Sequence, residues 1–161
     1  MTAAPPLPIE DLASRLQPEA RLLGLDVGTK TIGLALSDVT RSIATPYETL
    51  RRTKFTADAQ LLAAIVTKEG VGGLVIGLPI NLDGSEGPRA QSTRAFARNL
   101  AGHVSLPMAF WDERLSTAAV ERHLIEADAS RKRRAEVIDR MAAAYILQGA
   151  LDRLRNLAGQ R

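Results

Sequence analysis

Three acidic positions stand where acids are out of place. Asp26 lies in Leu22-Leu23-Gly24-Leu25-Asp26-Val27-Gly28, the most apolar stretch of the first third of the chain. Strand alternation puts Leu22, Gly24 and Asp26 on one side. A carboxylate there is costly to bury unless it is paired or meets a cation. Gly24, Gly28 and Gly33 keep its surroundings open for close approach by a ligand. The plainer alternative is that Asp26 ends the strand and caps the Gly28-Thr29 turn. Asp112 and Glu113 follow Phe110-Trp111, at the carboxyl end of an apolar run, where ligands bind in open α/β sheets. Adjacent strand residues point opposite ways, so one of the two faces a site. The alternative is an acid pair favoured by the dipole of the following helix. Asp139 shares a helical stripe with Ala143, Ile146 and Ala150, otherwise apolar and facing a sheet. Its alternative is a rim position paired with Arg133 or Arg134.

Taken together, Asp26, Glu113 or Asp112, and Asp139 suggest carboxylates gathered from two strand ends and a helix. Hard cations such as magnesium or manganese take oxygen ligands of this kind. Two such ions about 3.5–4 Å apart support phosphodiester hydrolysis. Competing chemistries lack their residues. The chain has no cysteine, and His103 and His123 are its only imidazoles. There is no G-x-S-x-G elbow, Walker A loop or G-x-G-x-x-G turn. His103 and His123 read as surface residues, Trp111 as core packing, and Asp83-Gly84 as a turn.

Positioning these acids requires a particular order of elements. Met1–Pro8 reads as a frayed tail and Ile9–Leu16 as a short helix. Arg21–Val27 and Thr31–Ser37 read as strands of a hairpin turning at Gly28-Thr29-Lys30. Ile43–Leu50 reads as a third strand, with Pro46 calling for an edge or a bulge. Thr56–Glu69 has helical spacing, with Leu61, Leu62, Ile65 and Val66 on one side and Gly70 as the stop. Val71–Leu78 is apolar throughout, as in a strand covered on both faces. Pro79–Gly87 is a loop, Pro88–Leu100 a helix and Val104–Trp111 a strand. Thr117–Ala127 reads as a helix capped by Ser116 or Thr117, and Ser130–Leu157 holds a long amphipathic helix. Hairpin strands followed by β-α-β-α-β predict an α/β fold: a mixed five-stranded sheet with helices on both faces. The expected organisation is an N-terminal tail and short helix over 1–20, one domain over 21–157 and a short tail over 158–161.

The basic residues suit a phosphate-rich partner. Arg131-Lys132-Arg133-Arg134 is the densest run, and Arg51-Arg52-Thr53-Lys54 is a second. Cations at a helix start oppose its dipole, and a bound phosphate reverses that sign. Arg89, Arg94 and Arg98 line the helix after the Gly-containing loop, Arg114 follows the acid pair, and Lys30 sits in the first turn. Each of these also fits a solvated basic face. The net charge of +3 permits a polyanion without demanding one. Aromatic residues are 4% of the chain, too few for a base-stacking platform.

At 161 residues, with 45% hydrophobic and 24% charged residues, the chain has ordinary globular composition. The longest unbroken apolar run, Met141–Leu147, is far below the ~18 residues that span a bilayer. Met1–Leu16 lacks the pattern of a secretory signal. A cytoplasmic setting is expected.

Four ordered segments carry a resemblance: LGLDVGTKTIGLALSD (Leu23–Asp38), VIGLPINLDGSEGPRAQSTRAFA (Val75–Ala97), WDERLSTAAVE (Trp111–Glu121) and SRKRRAEVIDRMAAAYILQGALD (Ser130–Asp152). They resemble the YqgF family, Holliday-junction-resolvase-like proteins associated with nuclease processing of small-subunit ribosomal RNA precursors. The likeness runs from Arg21 to about Leu154. It implies a ribonuclease-H-like fold, a bacterial cytoplasmic setting and magnesium- or manganese-dependent endonuclease chemistry. The substrate implied is a ribosomal RNA precursor or branched DNA, handled by a monomer or homodimer. By position, the resemblance makes Asp26, Glu113 or Asp112, and Asp139 the metal-binding acids, and the loop around Asp83–Gly87 a mobile flap near substrate. One departure stands out: true resolvases and ribonucleases H carry an acid near the fourth strand, whereas this one ends Gly77-Leu78-Pro79. The fifth-strand acids are expected to take that place.

Two other classes fit some of the same residues. A non-catalytic RNA-binding assembly factor needs only the basic run. An actin- or sugar-kinase-like ATP-binding protein shares a first phosphate loop resembling the stretch from Asp26 to Gly33, but needs a second similar domain.

Overall fold

The computed structural model describes residues 6–115 and 131–159, with the backbone alone over 131–139. The expected helix Thr117–Ala127, its caps Ser116 and Thr117, and His123 lie outside the described residues. So do the side chains of Arg131, Lys132, Arg133, Arg134 and Asp139.

One mixed sheet organises the molecule. Its strands are β1 (Arg21–Val27), β2 (Thr31–Ser37), β3 (Ala44–Arg51), β4 (Val71–Leu78) and β5 (Met108–Asp112). They stand side by side in the order β3-β2-β1-β4-β5. The first three are antiparallel, whereas β4 and β5 run parallel to β1. The mixed sheet expected from the order of elements is therefore present. Pro46 lies both on an edge strand and at a bulge: Leu34 faces Glu48 while Ala35 faces Pro46, leaving Tyr47 as the extra residue. A proline without an N–H is tolerated there.

Helices cover both faces. On one face, α2 (Phe55–Glu69) and α3 (Pro88–Ala101) bury Leu62, Ile65, Phe96 and Leu100 against Leu23, Leu25, Ile32 and Leu74. On the other, α1 (Ile9–Leu12) and the long α4 (Arg131–Gly159) bury Ile9, Leu12, Ala143, Ile146, Leu147 and Ala150 against Leu22, Val75, Ala109 and Trp111. Each fully buried Leu or Ile contributes on the order of 1.5–3 kcal/mol. Gly70 ends α2 in the left-handed region at φ 66°, where an L side chain is strained. The stripe of Ala143, Ile146 and Ala150 faces the sheet as its spacing predicts.

Three details differ from expectation. Leu61 is 50% exposed rather than on the buried side of α2. The inward stripe runs through Asp58, Leu62 and Ile65, and Asp58 turns in because its carboxylate accepts the Thr53 N–H and hydroxyl. The fifth strand starts at Met108, not Val104, because the N–H groups of His103 and Val104 turn back onto the Leu100 carbonyl and close α3. Val104 is apolar because it packs in the core. Leu7 is no frayed tail residue: its N–H donates to the Met108 carbonyl at 2.7 Å.

Candidate active site

Alternation sorts the acids by face. Leu23, Leu25 and Val27 belong to the core under α2 and α3, so Leu22, Gly24 and Asp26 look toward α4. A Cβ on Gly24 would lie 2.8 Å from Leu147 Cβ and 3.1 Å from the Ala143 carbonyl oxygen. Gly24 therefore makes room for the α4 backbone, not for a ligand as its composition suggested. Asp26, one residue further along the same face, is buried at 6% exposure.

Its neighbours on both sides are glycines. Asp26 pairs with Gly33 of β2, and one position beyond the Leu25–Ile76 pair stands Gly77 of β4. Neighbouring strands are about 4.8 Å apart, so side chains at either position would crowd the carboxylate. The place above Gly77 is taken by another acid. The Glu113 carboxyl carbon lies 3.5 Å from where a Gly77 Cβ would be, under Ile146 of α4. Glu113 itself is 6% exposed, in the 3-10 turn Glu113–Leu115 that follows β5. The fourth strand thus lacks an acid of its own and leaves a gap into which the acid after the fifth strand folds. From sequence, Gly77 stands out only as part of the strand end that lacks an acid, not as the place where Glu113 packs. Only the pairing of β4 with β1 reveals it.

Asp112 goes the other way. Its Oδ1 accepts the Arg114 backbone N–H at 2.9 Å, and its Oδ2 accepts from Arg114 Nη2 at 2.7 Å. Those hydrogen bonds hold its carboxyl below the ordinary carboxylate range and raise the Arg114 guanidinium above its own. Arg114 also donates to the Asn81 carbonyl at 3.5 Å, tying the end of β5 to the loop after β4. In that loop Asp83 accepts the N–H and hydroxyl of Ser85, which depresses its pKa. Leu82 stands at the tip, 93% exposed.

Asp139 lies on α4 one turn before Ala143, about 6 Å along the axis, on the helix that covers the Asp26 face. The basic run Arg131–Arg134 opens that helix. Lys30 is exposed at the hairpin tip, and Arg89 is exposed near the start of α3. Arg94 is committed elsewhere: it is paired with Glu86 at 2.6 Å and stacked over Phe110. Trp111 is buried against Gly149, as core packing requires. Among the described residues no three His, Cys, Asp or Glu side chains stand close enough to share a metal ion. Asp26 and Glu113 are two buried carboxylates on the α4 side of the sheet, next to Gly33 and Gly77, and their oxygens are donors of the kind hard divalent cations take.

Comparison with known proteins agrees with this architecture. The chain is 70% identical over 145 residues to a protein of Paramagnetospirillum magneticum named "Putative pre-16S rRNA nuclease", covering 90% of this chain and 93% of that one. A Methylocella silvestris protein of the same name is 61% identical over 155 residues, covering 96% of each. Among solved structures, Thermus thermophilus RuvC in complex with Holliday junction substrate superposes with a TM-score of 0.52 at 11% identity, covering 84% of this chain and 96% of that one. That likeness is one of fold, the ribonuclease-H-like fold of resolvases. The profile of the RuvX family, described as Holliday junction resolvase, matches residues 20–153. The resemblance carried by the four segments is therefore upheld, and the chain belongs to the RuvX family.

Proposed function

We propose that this protein is a divalent-metal-dependent endonuclease that processes the 5′ end of precursor 16S ribosomal RNA in the bacterial cytoplasm. The observation that carries the reading is the burial of Asp26 and Glu113 on one face of the sheet, with Glu113 folded over Gly77, the glycine of the strand beside β1. Two buried carboxylates on one sheet face are costly to hold in their charged form, and a bound cation offsets that cost. The names of the relatives supply the substrate class.

In this reading Asp26 and Glu113 hold magnesium or manganese, with Asp139 as the third ligand. Such an ion, when bound, offsets charge building on the phosphate oxygens and lowers the pKa of a water nucleophile. The protein's own part is positional. The sheet fixes Asp26 between glycines so that a phosphate can approach it. Ile146 keeps solvent off Glu113. Asp112 does not touch the reacting centre; it orients Arg114 toward the loop that borders the substrate. Lys30, Arg89, Arg114 and the Arg131–Arg134 run, Lys132 included, supply positive charge for the nucleic acid backbone.

The test is cleavage of a precursor 16S RNA fragment and a four-way DNA junction side by side, with manganese and with chelator. Asp26→Asn should lose at least 100-fold in rate while keeping its fold. A variant that cuts as fast as the parent sinks the assignment. A second reading, cleavage of branched DNA, is favoured by the family description. It requires two active sites and hence a homodimer, whereas single RNA cuts need only a monomer. Salt-sensitive RNA binding with no product from either substrate would instead mark a non-catalytic assembly factor.

A further inference from the structure

The sequence reads Arg51-Arg52-Thr53-Lys54 as one basic run, but the sheet register splits it. Leu50 pairs with Ile32, and both belong to the core under α2 and α3. Arg51 pairs with Thr31 and so stands on the opposite face, the one Asp26 occupies. Arg52 returns to the first face. There its guanidinium donates to the Gly28 carbonyl at 2.7 Å and lies 5.3 Å over the Phe96 ring. Arg52 is thus a structural strut for the turn that follows Asp26.

Arg51 has no such employment. Among the described residues it makes no ion pair, and neither do Lys30 and Lys54. All three are exposed. Lys30 and Arg51 share one corner: the Arg52 N–H donates to the Lys30 carbonyl at 2.8 Å, which fastens the end of β3 to the hairpin tip, and Lys54 follows three residues after Arg51, at the start of α2. Two acids of the described residues close to this run in sequence are turned away from Arg51. Asp58 is buried and turned onto Thr53. Glu48 lies on the Leu50 side of β3, the face away from Arg51. The corner lies at the end of the sheet where β1 finishes, on the β2–β3 side, whereas the loop after β4 leaves the same end on the other side of β1.

We infer that Lys30, Arg51 and Lys54 form a phosphate-binding subsite that grips the nucleic acid backbone away from the scissile phosphate, on the β2–β3 flank of the site. This rests on the nuclease reading for its ligand. Exposed cations close together, with no ion pair among the described residues, repel one another, and a polyanionic strand crossing them relieves that repulsion and releases its own counterions. A strand held at this corner enters the site across β2 toward Asp26.

Binding of a fluorescein-labelled 30-nucleotide RNA stem-loop with a single-stranded 5′ arm, followed by anisotropy in EDTA across a KCl series, tests this. EDTA stops metal-dependent cleavage, so binding and catalysis are read apart. The Lys30→Ala, Arg51→Ala, Lys54→Ala triple variant should bind about tenfold more weakly and lose roughly 2–3 from the salt slope, at 0.7–0.9 per phosphate contact. A control triple, Arg15→Ala, Lys68→Ala and Arg153→Ala, removes the same charge from exposed positions elsewhere on the molecule and should keep the parent slope. Equal slopes for parent and corner variant overturn the subsite, as does an equal loss in the control. If the corner triple melts early, Arg51→Gln alone is measured and should lose close to 1 from the slope; no loss overturns the proposal. A parent that cuts RNA while the corner variant keeps its slope refutes the subsite alone. A parent that binds through the corner but cuts nothing refutes the nuclease reading alone.

Discussion

Gly77 shows how much one missing side chain can do. A methyl group there would run into the Ile146 side chain and lie 3.5 Å from the Glu113 carboxyl carbon. Gly77→Ala should therefore destabilise the fold by about 1–3 kcal/mol, as overpacking does, and displace Glu113. Urea denaturation and cleavage rates should fall together, and adding Ile146→Val should restore stability more than activity. Unchanged cleavage would mean that Glu113 does no chemistry. Asp112 gives a pH test. Hydrogen bonds from Arg114 depress its folded pKa. Its stabilisation is therefore complete above the ordinary carboxylate range and is lost as pH falls through the lowered folded value. The difference in Tm between parent and Asp112→Asn should be largest near neutrality and shrink toward pH 3. A gap that stays constant across that range contradicts the pairing.

Elements matter here through how closely they approach. The α4 backbone sits on β1 at Gly24, where a Cβ would meet Leu147 Cβ at 2.8 Å and a main-chain oxygen at 3.1 Å. Neither of those atoms can swing aside as a side-chain tip can. Gly24→Ala should therefore lift α4 from the sheet, lower the urea midpoint by an amount equivalent to roughly 1–3 kcal/mol, and reduce cleavage because α4 carries Asp139. A variant as stable as the parent would show that α4 docks less tightly than these distances require. Strand limits were readable at this scale: β1, β2 and β4 coincide with the apolar runs. Val104 was misread because an apolar residue closing a helix and one opening a strand have the same hydropathy. Leu61 was misread because neighbouring positions on a helix differ by 100°, and the true stripe is centred on Leu62 and Ile65.

At the scale of the whole molecule, the proposed metal dependence predicts that ion binding is coupled to folding. Buried carboxylates on β1 and after β5 come together only in the folded chain, so an ion held between them binds the native state alone. Manganese at 100 times its dissociation constant should add about 2.7 kcal/mol of stability, seen as a rise in Tm that EDTA reverses. Asp26→Asn should lose that rise. This readout does not depend on substrate. An equal rise in the variant would place the ion elsewhere.

By itself the sequence determined the strands and helices, the mixed sheet, and Asp26 as an acid in an apolar setting, because each follows from local periodicity and burial cost. It also supplied the family, through four segments in order. It could not say which way the side chains of Asp112 and Glu113 turn, that Glu113 folds over Gly77, or that Arg51 and Arg52 part to opposite faces. Those answers depend on which strands lie side by side and in what register. A shift of one residue reverses every side chain between faces, and contacts between residues 36 positions apart, such as Gly77 and Glu113, leave no trace in a local pattern.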